Sequence, residues 1–431
     1  MKTEKQAREL TQSALDQVKA DHAEVRYYWH RSLNTRFAEN AITQNMSGEA
    51  EGINISVAFG NRHGSASTNK LDRESIGTLV DRAEKLARVS PEDPEYVPPP
   101  QPAEYPEVPQ RFYPEVLDLN AGSVATEVQN VVAIAEKNSF NASGMFGAGG
   151  SASALANNKG LFACDQHSGL GYSLTMHGRA GSGSASGYAE NPQQIKAEHL
   201  AETAAETACA SQDPDPIQPG DYDVVFEPRA TVDLLMFLIR NLSARDADEG
   251  TSPFAGKKGE KLFADNVTIL SDPTDRDVPC RGFDGQGLPV RKQYWVRDGV
   301  LERLRYSRYW AREKGEEPDP GISQVLMRGG NKTTEELISE CGQGLLVKRL
   351  WYLRYVDRKD LLVTGLTRDG LFQIDDGRVV GPVRNLRFNE SPVIFLRNAE
   401  AMGPAKRVSG WAKVPAVLSR NFTFSSGTES V

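Results

Sequence analysis

The histidines are the first residues of this chain whose type and spacing could do chemistry, because imidazole pairs often bind metals. The chain has six, at positions 22, 30, 63, 167, 177 and 199, and no two are four residues apart, the spacing of a helical zinc site. His167 and His177 have even spacing, so one strand would place both on one face. About 33 Å of extended chain would separate them, and a shared metal would require the strand to fold back at Gly169 or Gly171. We therefore expect two hydrogen-bonded sheet histidines.

The sequence gives no clear signal for a catalytic nucleophile or a phosphate-binding loop. The four cysteines, at 164, 209, 280 and 341, form no CxxC pair, which excludes zinc-ribbon and thioredoxin-like sites. We interpret Cys341 as a structural thiol, because a reactive thiol needs a base nearby and no histidine follows it. There is no Gly-x-Ser-x-Gly elbow. The glycine-rich stretches 147–150 and 181–187 lack the Gly-Lys-Ser/Thr of a phosphate loop, and we predict hairpin turns for both.

The stretch 222–260 shows the clearest local pattern. Residues 222–226, Tyr-Asp-Val-Val-Phe, predict a buried strand. Pro228 follows, a residue favoured at the first helical position, and we predict a helix over 228–243. Its run Leu-Leu-Met-Phe-Leu-Ile at 234–239 makes it apolar nearly all round, which is typical of a buried helix. The loop Thr-Ser-Pro-Phe-Ala-Gly comes after it at 251–256.

This strand–helix–loop layout resembles the centre of the TldD/PmbA family. In the TldD branch the helix carries a His-Glu-x-x-x-His metal motif. Aligned without a gap on the 251–256 loop, the two ligand positions fall on Leu235 and Arg240, and the base position falls on Met236. Leucine has no lone pair for a metal, and arginine stays protonated. The TldD branch also uses a C-terminal cysteine ligand, whereas this chain has no cysteine after Cys341.

The chain therefore resembles the TldE (PmbA) branch, which lacks the metal motif. The resemblance implies no catalytic residue, no metal and no cofactor in this chain, with zinc in a TldD-type partner. The family motif places its two histidines five residues apart, about 140° around an ideal helix, so a shared metal requires a distorted helix. Here the residues between the two positions are Met-Phe-Leu-Ile, and we interpret Leu235 and its neighbours as core packing. For Arg240 two interpretations stay open. It contacts a peptide carboxylate or an acidic partner group, or it is a helix C-terminal arginine that complements the macrodipole.

The proline- and aspartate-rich segment 213–220 cannot continue a helix and divides the chain into predicted domains 1–212 and 220–431. We expect an α+β fold, with N-terminal helices on one face of a mostly antiparallel sheet. The predicted helices are 5–20, 72–89, 116–137 and 189–211, and the predicted strands are 22–29, 34–41, 52–59 and several short ones within 140–188. We expect the proline-rich connector 90–114 to be extended and to lie on the surface.

The second predicted domain is mainly β after its buried helix. Asp298-Gly299 and Asp376-Gly377 between apolar runs predict two hairpins. Further strands are predicted at 322–327, 345–350 and 414–424, and helices at 333–340 and 392–401. The hairpin within 370–385 is similar to one of the TldD/PmbA family, so the resemblance covers this domain. Over the first domain it rests only on the order and length of the elements.

The composition disfavours nucleic-acid-binding, membrane-spanning and secreted proteins. The 431 residues carry a net charge of −8, with 50 Lys+Arg and 58 Asp+Glu, which disfavours a nucleic-acid-binding protein. No apolar run approaches the ~18 residues of a membrane span, and residues 1–17 lack the apolar core of a signal peptide. We therefore expect a soluble, cytoplasmic protein with reduced thiols.

The resemblance implies a non-catalytic subunit that pairs through its second domain with a TldD-type protein, as a heterodimer or larger complex. Such a metalloprotease would degrade small unfolded or modified peptides, held as an extended strand against a sheet edge. Whether this chain is itself an enzyme stays open. One alternative is an autonomous, diverged metallopeptidase or other hydrolase acting as a homo-oligomer. Another is a peptide-binding or scaffolding protein without proteolysis. Neither charge nor motif supports the family's older label, modulator of DNA gyrase.

Overall fold

The computed structural model describes residues 1–428 and has a mixed α+β fold, as the sequence predicts. The helices are α1 (Glu4–Leu15), α2 (Arg73–Val89), α3 (Ala121–Lys137), α4 (Ala197–Ala210), α5 (Pro228–Arg240), α6 (Ala244–Asp248), α7 (Arg308–Lys314), α8 (Thr334–Cys341) and α9 (Pro392–Arg397). Two 3₁₀ turns occupy Pro114–Asp118 and Pro192–Gln194. No helix within residues 1–428 combines the length and apolar character that crossing a membrane requires.

The first sheet is fully antiparallel, in the order β3-β2-β1-β4-β5-β6. Its strands are β1 (His22–Ala38), β2 (Ala41–Phe59), β3 (Arg62–Thr68), β4 (Asn141–Asn157), β5 (Phe162–His177) and β6 (Ser182–Ala189). The odd-numbered residues of β1 other than Arg31 are the buried ones, because successive side chains of a strand point to opposite faces. On that face Val25 packs with residues of α2, and Phe37 packs with residues of α3 and α4. The expectation of helices on one face of an antiparallel sheet is confirmed.

The strands of this sheet are longer than expected. The predicted strands 22–29 and 34–41 are one strand, β1, because β2 and β4 pair with it on both sides. The segment 140–188 is three long strands rather than several short ones. The predicted hairpin turns at 147–150 and 181–187 are wrong, since these glycines lie largely inside β4 and β6. A Cβ on Gly183 would overlap the backbone of α4, so glycine here marks close packing rather than a turn.

Three predicted helices are shorter than expected. The first ends at Leu15. The segment 116–137 is interrupted before α3, whose N-cap Asn120 accepts hydrogen bonds from two backbone amides. The segment 189–211 starts as a 3₁₀ turn, and α4 begins only at Ala197. In the C-terminal part, the helix predicted at 392–401 ends at Arg397, because the next residues form a strand that pairs with the last strand of the chain.

Two sheets form the C-terminal part. The larger one has the order β13-β14-β17-β21-β7-β12-β15-β16, with β18 paired to β21, and the smaller one has the order β10-β9-β8-β11-β20-β19. Their strands are β7 (Gly220–Phe226), β8 (Ile269–Ser271), β9 (Gln293–Arg297), β10 (Val300–Leu301), β11 (Val325–Met327), β12 (Gly344–Val347), β13 (Leu350–Asp357), β14 (Leu362–Thr367), β15 (Leu371–Asp375), β16 (Arg378–Pro382), β17 (Leu386–Glu390), β18 (Ala399–Met402), β19 (Lys406–Arg407), β20 (Ala412–Val414) and β21 (Val417–Gly427).

Both predicted hairpins are confirmed. Asp298 and Gly299 have φ of +48° and +81°, and Asp376 and Gly377 have φ of +48° and +69°. Positive φ at both central residues is the type I′ turn that matches strand twist. β7 lies between β21 and β12, and its last three residues are completely buried, as the sequence predicts. The division into domains at 212–220 stays a prediction.

The proline-rich connector 90–114 is hydrogen-bonded to both halves of the chain. It contains no helix or strand before Pro114, and its carbonyl groups accept hydrogen bonds from both halves of the chain. Asn157 Nδ2 donates to the Pro100 carbonyl at 2.8 Å, and Arg312 Nη1 donates to the Tyr96 carbonyl at 2.9 Å. Because proline has no N–H, side chains rather than a sheet ladder hold such a segment.

Candidate functional site

Helix α5 leaves the centre of the larger sheet and buries most of its surface. Pro228 occupies its first position, and the helix ends in Arg240. Its buried residues pack in the main apolar core. One stripe is less buried than the rest, at spacings of four, three and four residues, and consists of Arg229, Asp233, Met236 and Arg240. This spacing places the four on one face of the helix, the open stripe, on which only Arg240 at the C-terminal end is exposed. The expectation of a buried helix is therefore confirmed except at that end.

The structure separates the positions that correspond to the metal motif. Leu235 is 1% exposed and belongs to the core. Met236 is half-buried and Arg240 is exposed, both on the open stripe. No donor atom for zinc stands at any of the three positions, so the residues present do not fit the metal of the TldD motif. Among residues 1–428 no cluster of three His, Cys, Asp or Glu side chains is arranged to hold a metal ion.

Arg240 stands in the last turn of α5, as the macrodipole interpretation requires. Its guanidinium group makes no ion pair within the described part of the chain, residues 1–428, and its side chain is exposed. Both interpretations of Arg240 are therefore compatible with its position, and its contact with a peptide or partner stays a prediction.

At the N-terminal end of α5, two guanidinium groups converge on one hydroxyl group of the first sheet. Arg229 Nη1 donates to Ser184 Oγ at 3.0 Å, and Arg349 Nη1 donates to the same oxygen at 3.2 Å. Arg349 also forms an ion pair with Asp369, and Asp369 Oδ1 accepts a hydrogen bond from Ser182 Oγ at 2.7 Å. These contacts hold the start of α5 and the residue before β13 against β6.

Burial perturbs the ionisable groups at this end of the helix. It raises the pKa of Asp233 to about 6, although Arg229 and Arg349 act in the opposite direction. Burial, reinforced by repulsion from Arg349, lowers the pKa of Arg229 to about 10. Burial also lowers the pKa of His177, which lies near Asp369. At neutral pH Arg229 is therefore still charged, and Asp233 beside it is mostly ionised.

Strand β13 packs against the C-terminal half of α5 and is the outermost strand of the larger sheet. It pairs with β14 and with no other strand of the described chain. The rings of Phe237 and Tyr355 contact edge to face with centroids 4.8 Å apart, and Asn241 Nδ2 donates to Tyr355 Oη at 3.1 Å. We call the open stripe of α5 together with the outer edge of β13 the α5–β13 surface. No strand within residues 1–428 pairs with this edge, although register shifts between Trp351 and Arg354 and between Tyr355 and Asp357 interrupt β13. A free strand edge beside a helix can accept an added strand.

The histidines and Cys341 do not assemble a second site. His177 is the last residue of the unbroken strand β5, ten residues after His167, and Tyr188 Oη is 2.9 Å from His167 Nε2. Burial lowers the pKa of His167 to about 4. Burial and the nearby Asp223 raise the pKa of Cys341 to about 11. At neutral pH His167 is therefore neutral, and Cys341 is a thiol rather than a thiolate.

Two family models match the sequence. The model for the PmbA/TldA metallopeptidase C-terminal domain matches residues 219–426, and the model for PmbA/TldA metallopeptidase domain 1 matches residues 23–87. Together they cover more than half of the chain. The chain belongs to the TldD/PmbA family.

Members of this family with curated names are distant in sequence. A protein named metalloprotease from Methanothermobacter thermautotrophicus is 28% identical over 230 residues, which is 48% of this chain and 48% of that protein. The chain thus spans about half the length of this relative. A metalloprotease of Methanocaldococcus jannaschii is 21% identical over 372 residues, covering 76% of this chain and 78% of that protein.

Solved structures of similar fold extend over nearly the whole chain. A putative modulator of a DNA gyrase from Thermotoga maritima superposes with a TM-score of 0.89 at 20% identity, covering 97% of this chain and 100% of that one. TldE from Thermococcus kodakarensis superposes with a TM-score of 0.86 at 20% identity, covering 97% and 99%. At this identity the likeness establishes the fold of the family.

Sequence reasoning did not single out the residues that line the α5–β13 surface other than Met236 and Arg240. Arg229 and Asp233 share the stripe with these two positions, and a helical projection of the sequence would have grouped all four. The segment Trp-Tyr-Leu-Arg-Tyr-Val at 351–356 carries a strand-like composition. Its edge position had no sequence signal, because strand order depends on pairing between distant segments.

Proposed function

We propose that this chain is the non-catalytic, peptide-holding subunit of a TldD/TldE-type metalloprotease complex. In this proposal a TldD-type partner carries the zinc and cleaves small unfolded or modified peptides. The present chain is a pseudoenzyme that binds extended peptide and completes the complex as a heterodimer or larger assembly. The complex is cytoplasmic, in keeping with four cysteines that form no disulfide in residues 1–428.

The observation that carries the proposal is the pairing of a degenerate motif with an open binding surface on the same helix. Leu235 belongs to the core, while Met236 and Arg240 lie on the open stripe without offering a metal ligand. Beside them β13 presents an unpaired edge. A peptide added to such an edge is recognised mainly through its backbone, which suits a subunit that handles many sequences.

The test is to measure bound zinc and peptide hydrolysis for the isolated chain, for a TldD-type protein from the same source, and for the two co-expressed. We expect the isolated chain to contain no stoichiometric zinc and to cleave no peptide. We expect the co-expressed proteins to copurify and to hydrolyse a fluorogenic unfolded peptide in a chelator-sensitive way.

The alternatives correspond to other results of the same experiment. Stoichiometric zinc or chelator-sensitive hydrolysis by the chain alone would overturn the proposal in favour of an autonomous hydrolase. Failure of the two proteins to associate, with peptide binding retained, would favour a binding or scaffolding protein without proteolysis.

A further inference from the structure

The α5–β13 surface exposes aromatic side chains that a free sheet edge usually avoids. Trp351 is 42% exposed, Tyr352 is 58% exposed and Val356 is 56% exposed. Natural proteins blunt exposed edges with prolines, bulges or charges, because a bare edge recruits other strands. β13 has bulges between Trp351 and Arg354 and between Tyr355 and Asp357, yet its large apolar side chains stay exposed. Tryptophan, tyrosine and arginine are also the residue types that dominate binding energy at interfaces. These three side chains therefore mark the β13 edge as a contact surface.

Arginines stack on every aromatic ring of this strand. The guanidinium-to-centroid distances are 4.7 Å for Arg349 and 5.2 Å for Arg368 on Trp351, 4.7 Å for Arg354 on Tyr352, and 4.5 Å for Arg358 on Tyr355. A guanidinium stacked on a ring keeps its N–H groups available at its rim, where they can bind carboxylates in pairs. The stacking thus holds four cations in place along the edge.

Much of this positive charge is not neutralised within the chain. Arg240, Arg354 and Arg358 form no ion pair within residues 1–428, whereas Arg349 and Arg368 both face Asp369. Arg229 and Arg349 are hydrogen-bonded to Ser184 of the first sheet, so the exposed arginines of the surface are Arg240, Arg354 and Arg358, against one exposed aspartate within β13, at 357. Lys359 and Asp360, which follow β13, cancel each other. The surface is therefore cationic on a chain whose net charge is −8.

We propose that the α5–β13 surface selects acidic extended peptides, with the edge of β13 binding the peptide backbone and the arginines binding its carboxylates. The inference rests on the proposed function for the peptide itself and adds the chemical class of peptide. Arginine with aromatic rings also suits single-stranded nucleic acid. A peptide fits better, because the outer edge of β13 has no partner strand within residues 1–428 and can pair with the backbone of another strand, and because the whole chain is acidic.

The test uses the full chain and two fluorescein-labelled ten-residue peptides, one alternating glutamate with threonine and the other alternating lysine with threonine. Fluorescence anisotropy measures the dissociation constant of each at low salt and at 0.3 M salt. We expect the glutamate peptide to bind about tenfold or more tightly than the lysine peptide, and this preference to shrink with salt, as screening requires. Equal binding of the two peptides would overturn the proposal.

The double variant Arg354→Gln and Arg358→Gln removes two exposed, unpaired cations. It should raise the dissociation constant of the glutamate peptide by about fivefold to tenfold, in line with partly exposed charge pairs. The dissociation constant of the lysine peptide should not rise. The matched control is Arg378→Gln with Arg384→Gln, which neutralises two exposed arginines at the opposite side of the same sheet and should change neither constant. An unchanged preference in the first variant, or tighter binding of a ten-residue oligothymidylate than of the glutamate peptide, would overturn the proposal.

The outcome separates this inference from the proposed function. Hydrolysis that depends on the TldD-type partner, together with peptide binding of no charge preference, would overturn the inference and leave the proposed function standing. A preference for the glutamate peptide in a chain that contains its own zinc would overturn the proposed function and leave the charge selection standing.

Discussion

At the scale of a single residue, the fold changes the pKa of Asp233. It shares the open stripe of α5 with Arg229, yet burial raises its pKa to about 6. An unfolded chain would release this proton near the ordinary pKa of about 3.9. Between these two values the folded chain binds more protons than the unfolded chain. The folded state therefore loses stability as the pH rises from about 4 through 6, and this loss levels off above about pH 7.

The variant Asp233→Asn removes this titration. At each pH we compare the free energy of unfolding of the variant with that of the unchanged chain. We expect the difference to shift in favour of the variant by roughly 1 to 2 kcal/mol from pH 5 to pH 8, because the unchanged chain loses stability over this range. Urea denaturation at several pH values measures the difference. The control is Asp81→Asn on the exposed side of α2. The free energy of unfolding of this control should depend on pH in the same way as that of the unchanged chain. An identical pH profile for Asp233→Asn and the unchanged chain would mean that Asp233 ionises at its ordinary pKa.

At the scale of elements, the packing of α4 on β6 depends on the absence of a side chain. A series of buried alanines in α4, among them Ala204 and Ala208, faces β6. A Cβ on Gly183 would overlap the Ala204 carbonyl oxygen and the Ala208 amide. Since both obstacles are backbone atoms, no change of rotamer relieves the overlap, and the helix would have to move away from the strand.

We therefore expect Gly183→Ala to lower the free energy of unfolding by about 1 to 3 kcal/mol, the usual cost of overpacking. Chemical denaturation followed by circular dichroism measures it. Gly171→Ala, on the neighbouring strand β5, is the matched control, because its Cβ would meet only a Tyr188 ring carbon at 3.6 Å. Equal stability of the two variants would show that α4 does not pack as closely as described.

At the scale of the whole molecule, buried ion pairs join the first sheet to the C-terminal part. Arg407 Nη1 and Nη2 donate to Glu190 Oε2 and Oε1 at 2.8 and 2.6 Å. Glu190 is 4% exposed, and Arg407 also stacks over the Tyr188 ring at 4.9 Å. A bidentate pair of this kind sets the position of β19 relative to the end of β6.

Removing one partner leaves a buried charge without compensation. We expect Arg407→Met to lower the free energy of unfolding by about 3 to 5 kcal/mol, and the double variant Arg407→Met with Glu190→Gln to lose less, because no charge remains buried alone. A thermal and urea denaturation series on the single and double variants measures the coupling. If the double variant lost the sum of the two single losses, the pair would not be coupled.

The order of helices and strands could largely be predicted from the sequence. Both Asp-Gly hairpins, the strand–proline–helix start at β7 and α5, and the antiparallel sheet with helices on one face depend on local backbone preferences or on alternation along one strand. Lengths were less predictable. β1 continues through the segment between its two predicted halves because neighbouring strands pair with it on both sides. Its pairing with β4 joins residues more than a hundred positions apart.

For the candidate site, the sequence by itself determined chemical identity. Leu235, Met236 and Arg240 cannot act as the ligands and base of a zinc site in any conformation, because the donor atoms are not there. Only the tertiary structure decided that Leu235 faces the core while Met236 is half-buried and Arg240 is exposed. It likewise decided that β13 lies at a sheet edge with its arginines stacked on its rings. Burial and strand order arise from contacts between segments distant in the chain, which local spacing does not record.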